Sequence, residues 1–415
     1  MAQNKWYKVD NVAKVFLATV NKRDTRALRV SCTLKEKIDP EALQEAVLFA
    51  IQDRPQFQVR IRRGIFWHYM EDTDLKPVVT EESGRVCPRL YTPGIASLHY
   101  KVTYFNNRIN LDLFHAISDG TGALEFLNII VLSYLKIKHP GEYDDINIHS
   151  GASAEDLNED SYRQFFNGAS FKGSSVKTAY RQSGLLLPYD QLQFFEVHLP
   201  TSEILPKAKE AGVSLTSYIG ARLMLALKDD MPSMMKKYPI TVTLPVNLRN
   251  YYPSYTSRNF FNNINVSHTF KEDITLEALS KEFDENMKSN LTEENIKKQM
   301  DKFETMEYVV PVRAVPLFIK QIGVKYGTIL NDRGVSIVLS NLGVQKPPEK
   351  LGAAIENYGA FCSSERLFVA MTSYNGDLTL GITSPYASTR VVKTFIRDLS
   401  NDGMHIKAYA TEVIH

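Results

Sequence analysis

Leu111-Asp-Leu-Phe-His115-Ala-Ile-Ser-Asp119-Gly120 joins two different hydrophobic periods. Ahead of it, Ile109, Leu111 and Leu113 alternate with Arg108, Asn110 and Asp112, the pattern of a strand with one buried face. Beyond it, Leu124, Leu127, Ile130, Val131, Tyr134 and Leu135 recur at helical spacing between Thr121 and Lys138. His115 is therefore expected at the end of a strand, with Gly120 releasing the turn into a helix. A neutral-range imidazole held at such a junction can act as a general base. Asp119, four residues on, can fix the local backbone or pair with a distant cation. The same residues would also suit an ordinary turn.

The remaining chain sets this junction in a large globular frame. Its 415 residues are too many for one typical core and suggest two domains. Hydrophobic residues make up 44% and charged residues 23%, the balance of an ordinary globular protein. Lys+Arg number 49 against 47 Asp+Glu, so nothing in the charge argues for a nucleic-acid partner. Cys32, Cys87 and Cys362 are scattered and odd in number; they offer no metal-ligand spacing and no disulfide framework. No apolar run approaches the roughly 20 residues of a membrane span, and the start lacks a signal core. A reducing cytoplasm is the simplest compartment to expect.

Taken in order, Val12–Val20 and Leu28–Leu34 read as strands. Asp39 and Pro40 open a helix whose apolar face is Leu43, Val47, Ala50 and Ile51. A hairpin is expected around Gly64. After Lys138 the pattern fades, and the Ser/Gly-rich run Gly168 to Ser175 marks a linker. Periodicity returns with a strand at 193–199, helices at 202–211 and 214–228, and strands at 238–246 and 259–266. Helices are then expected over 275–300 and 310–326, an apolar strand at 335–339 broken by Ser340-Asn-Leu-Gly343, strands near 366–373 and 377–384, and a helix over 388–399. Strands alternate with helices in both halves, so the expected class is mixed α/β. The expected organisation is an N-terminal domain over 1–160, a linker over 161–190 and a C-terminal domain over 191–415.

His115-Ala-Ile-Ser-Asp119-Gly120 resembles the HxxxDG motif of the CoA-dependent acyltransferase superfamily, which includes chloramphenicol and alcohol acetyltransferases, plant acyltransferases and peptide-synthetase condensation domains. Pro245-Val-Asn-Leu-Arg249 is similar to a second segment of these relatives, and Ser340-Asn-Leu-Gly343 to a loop of their second domain. The resemblance implies two chloramphenicol-acetyltransferase-like domains, mixed sheets flanked by helices, and an active-site channel at their interface. It implies His115 as general base, Asp119 paired with Arg249 to shape the histidine loop, and Gly120 close to the channel. Ser340 and Asn341 are candidates for stabilising the oxyanion. Phe114 stands where condensation domains usually carry a second histidine, and the Asp-Phe-Gly-Trp-Gly of plant acyltransferases is missing. These departures favour a free-standing O-acyltransferase with acyl-CoA as co-substrate, no permanently bound cofactor, and a small alcohol or amine as acceptor. Two alternatives stay open: a donor delivered by an acyl carrier protein, and a non-catalytic binding protein of the same fold.

Overall fold

The computed structural model describes residues 5–148, 151–166, 168, 176–308 and 315–411. Apart from Gly168, the Ser/Gly-rich run read as linker lies outside these residues. Two sheets organise the chain. The first runs, edge to edge, through Ile355–Cys362, Ala27–Leu34, Arg108–Phe114, Tyr100–Phe105 and Thr80–Glu81. The second runs through Phe261–His268, Ile240–Asn247, Ile337–Val344, Leu367–Tyr374, Asp377–Ser384, Gln193–Pro200 and Lys407–Ala410. Both are mixed, because Thr80–Glu81 and Ile337–Val344 pair parallel with their neighbours while the other pairings are antiparallel. A small third sheet joins Trp6–Lys8 to the hairpin Val59–Arg63 and His68–Asp72, closed at Gly64, whose N–H donates to the Trp67 carbonyl. The mixed α/β class read from the sequence holds.

Each large sheet is half of a core. Helices Pro40–Asp53 and Gly120–Lys138 bury Leu43, Val47, Leu127, Ile130 and Val131 over the first sheet. Asp39 caps the former, accepting from the Ala42 N–H, as the Asp-Pro start predicted. Among the described residues Gly120–Lys138 alone is long and apolar enough to cross a membrane, but 67% of its apolar window is buried inside the fold. The second sheet buries Val369, Leu380 and Ile382 against helices Leu215–Asp229, Leu276–Asn290 and Arg390–Asn401.

Three features go beyond the sequence reading. The run read as a strand from Val12 is the helix Asn11–Thr19, because Asp10 accepts the Ala13 N–H at 2.7 Å and caps it; a short apolar run does not by periodicity alone distinguish strand from helix. Ile355–Cys362, expected within a C-terminal domain, crosses to the first sheet and pairs antiparallel along Ala27–Leu34. There Gly381 of the second sheet meets the Ala360 carbonyl so closely that a Cβ would lie 1.8 Å from its oxygen. Finally, the expected linker is partly folded: Tyr162, on the short helix Ser161–Gln164, is fully buried against Phe260.

Candidate active site

Strand Arg108–Phe114 ends where its last N–H groups are claimed from outside, Phe114 by the His99 carbonyl and His115 by the Arg26 carbonyl. Arg26 has φ of 51°, a left-handed conformation that costs a side-chain-bearing residue energy, and Asp24 holds it by accepting its N–H at 2.9 Å. His115 thus leaves the sheet at a fixed angle and is half-buried. Its ring lies between Phe16, at 4.5 Å between centroids, and Phe261, at 5.6 Å.

The imidazole's tautomer follows from its partners. Asn259 donates its Nδ2–H to the His115 carbonyl at 2.9 Å, and a carbonyl can only accept. That turns the amide oxygen of Asn259 toward His115 Nδ1, 3.1 Å away, so Nδ1 carries the proton and donates. Nε2 keeps its lone pair and makes no hydrogen bond among the described residues. Burial disfavours the imidazolium and lowers the pKa of His115, outweighing the nearby Asp119 carboxylate. The group present at neutral pH is a base with one free nitrogen.

Asp119 is buried and fully engaged. One oxygen caps helix Gly120–Lys138 by accepting from Gly122 N–H at 3.1 Å; the other accepts from Arg249 at 2.8 Å and from the Phe260 N–H at 2.9 Å. Arg249 follows the Ile240–Asn247 strand in a short turn and donates its other N–H groups to the carbonyls of Thr256 and Arg258 and to the Asn247 side-chain oxygen. One carboxylate therefore ties the histidine turn to the loop that carries Asn259. Asn247 adds a bond to Thr121, and Ser118 donates to the Ser257 carbonyl.

The glycines divide the labour differently from the sequence reading. A Cβ at Gly120 would lie 2.7 Å from Leu342 Cδ2, the end of a flexible side chain. A Cβ at Gly122 would lie 2.3 Å from both Ser118 Oγ and the Ser257 carbonyl oxygen, so Gly122 is where the helix start presses hardest on the second half.

The Ser340–Gly343 segment does not break its strand: Ile337–Val344 continues through it with a register shift between Asn341 and Val344. Leu342 brings it against Gly120, but the exposed Asn341 donates its amide N–H to Thr216 and accepts the Gly343 N–H at its oxygen. Ser340 is half-buried and its hydroxyl makes no hydrogen bond among the described residues. Among the described residues, neither side chain makes a hydrogen bond to His115. The sequence reading missed Asn259 and the aromatic walls Phe16 and Phe261. The extended run Asn259-Phe-Phe-Asn-Asn carried only a weak signal, polar groups placed beside apolar ones in a strand.

No family model matches the chain, and no curated protein matches it. Solved structures do. TRI101 of Fusarium sporotrichioides, in complex with coenzyme A and T-2, is 11% identical with a TM-score of 0.64, over 97% of this chain and 99% of the other. TRI3 trichothecene 15-O-acetyltransferase, also of Fusarium sporotrichioides, is 11% identical with a TM-score of 0.63, over 96% and 94%. The starter condensation domain of rhizomide synthetase is 11% identical with a TM-score of 0.56, over 96% of each chain. What is shared at these identities is the fold: this chain has, almost end to end, the two-sheet α/β architecture of acetyltransferases and condensation domains.

Proposed function

We propose that the protein is an acyltransferase that moves an acyl group from a CoA thioester to a small alcohol or amine, with His115 as general base. The observation that carries this reading is the orientation of the imidazole: Asn259 fixes the proton on Nδ1, and Nε2 stands free and unprotonated between Phe16 and Phe261. Nε2 takes the proton of the acceptor as its oxygen or nitrogen attacks the thioester carbonyl. Collapse of the tetrahedral intermediate breaks the C–S bond, and the proton passes from the imidazolium to the departing thiolate. Assistance of this kind is worth roughly 10²–10⁴-fold. Asp119, Gly120 and Arg249 shape the turn rather than touch substrate. For the oxyanion we assign Ser340, whose hydroxyl is uncommitted, ahead of Asn341, whose amide would first have to release Thr216. The bound CoA of TRI101 favours this donor for the fold; the likeness to a synthetase condensation domain favours a second reading, with the thioester carried by an acyl carrier protein.

The test is release of free thiol from a panel of acyl-CoAs with mixed alcohols and amines, run beside an acylated carrier protein, for wild type and His115→Ala. Turnover on CoA that falls at least a hundredfold in His115→Ala is the expected result. Turnover on the carrier alone would establish the second reading, and equal rates in the two proteins would remove His115 from the chemistry.

A further inference from the structure

Helix Leu317–Asp332 is amphipathic the wrong way round for a protein that meets only water. At about 100° per residue, Phe318, Ile322, Tyr326 and Ile329 fall on one side, with Ile319 and Leu330 at its edge. These six are exposed, Phe318 at 55%, Ile322 at 56% and Tyr326 at 66%. The less exposed positions, Leu317, Gln321, Val324 and Thr328, share the opposite side, so the helix turns two polar side chains inward and its bulk apolar residues outward. The patch continues onto the tip of the Val59–Asp72 hairpin, where Ile65 is 77% exposed and Phe66 and Trp67 are also open. The two parts are joined: Leu317 N–H donates to the Ile65 carbonyl at 2.9 Å, and the Lys320 ammonium lies 3.9 Å from the Trp67 ring centre.

Single exposed apolar residues are ordinary, but nine contiguous large ones mark an interaction surface. Charge decides which partner fits. Helix Leu317–Asp332 carries Lys320 and Lys325 against a single carboxylate, Asp332 at its far end, and the hairpin tip carries Arg62 and Arg63, with Arg62 lying 3.3 Å from Glu71 and Arg63 exposed. Lys325 and Arg63 are exposed beside the apolar patch. A second copy of the chain, docked face to face, would set these cations against their own counterparts. An anionic lipid surface satisfies both features: apolar and aromatic side chains enter the headgroup boundary, and flanking Lys and Arg meet the phosphates. We propose that helix Leu317–Asp332 and the Ile65–Trp67 tip form a docking face for an anionic membrane surface. The face lies on the surface and spans nothing, and the inference stands independently of the transferase reading.

The test is co-sedimentation of the full chain with phosphatidylcholine vesicles and with vesicles containing about one third phosphatidylglycerol. The wild type is expected to sediment with the anionic vesicles and to be released by high salt. The triple variant Phe318→Ser, Ile322→Ser, Tyr326→Ser should bind at least about tenfold more weakly, and so should Arg63→Glu with Lys325→Glu. Circular dichroism melts that match wild type exclude misfolding as the cause, and the charge variant serves should the triple variant fail to fold. Wild type that stays in the supernatant with both vesicles overturns the proposal. So does equal binding to neutral and anionic vesicles, or a dimer seen by light scattering that the triple variant abolishes, since a second copy would then cover the face.

Discussion

At the scale of single residues, the site is a base whose free nitrogen is chosen by an amide. Because burial lowers the His115 pKa, the base form predominates at neutral pH, and on the proposed reading activity should fall as pH drops through that depressed value. The acid limb of kcat/KM should therefore lie below the ordinary imidazole range. Asn259→Asp places a carboxylate at Nδ1, favours the imidazolium and should move that limb to higher pH. Asn259→Leu removes the acceptor and should cut kcat by one to two orders of magnitude, roughly, with the KM for the thioester little changed. A limb that stays put in Asn259→Asp would show that the amide does not set the protonation of His115. Gly122→Ala is the steric counterpart: helix propensity favours alanine, but its Cβ would overlap the Ser257 carbonyl. A loss of about 1–3 kcal/mol in denaturant unfolding is expected. Gly323→Ala, in a helix and with nothing within 4 Å of the added carbon, should instead gain about 0.5–1 kcal/mol.

At the scale of elements, the two sheets are fastened by a charged cluster. Arg108, in the first sheet, holds Glu196 of the second through two bonds of 2.6 and 2.8 Å. His198 donates to Glu196 and to Asp377, which raises its pKa to about 9 against the cost of burial, while Glu196 is lowered to about 2. The sign follows from the raised value: His198 stabilises the fold fully below its unfolded pKa, and that contribution drains away as pH rises through about 9. Thermal stability should fall over this window in wild type and stay flatter in His198→Asn; parallel curves for the two would refute the coupling. The histidine turn, its aspartate and Arg249 were legible because short local motifs carry them. Asn259 was not, since it stands 144 residues from its partner and strand periodicity says nothing about such pairings. Likewise Ile355-Glu-Asn-Tyr-Gly-Ala-Phe-Cys362 interrupts its apolar run with polar groups and a glycine, so its pattern does not read as a strand.

At the scale of the whole molecule, alternating strands and helices disclosed the fold class but not how the halves are joined. The two halves share one strand, Ile355–Cys362, and close at Gly381. A fragment of residues 1–190 leaves the whole length of Ala27–Leu34 as an unpaired edge. Expressed alone it should aggregate or show little protection in hydrogen exchange, whereas co-expression with 191–415 should yield a soluble complex of the two pieces. A stably folded monomeric 1–190 would contradict this.

The same shared strand has a consequence for how the protein is made. On the ribosome, the first half cannot finish its sheet until residue 362 has emerged, so Ala27–Leu34 waits with one flank open while everything between the two strands is made. Its cell must shield that flank or tolerate the delay, and synonymous changes that slow synthesis just before codon 355 should lower the soluble yield while leaving the finished molecule identical.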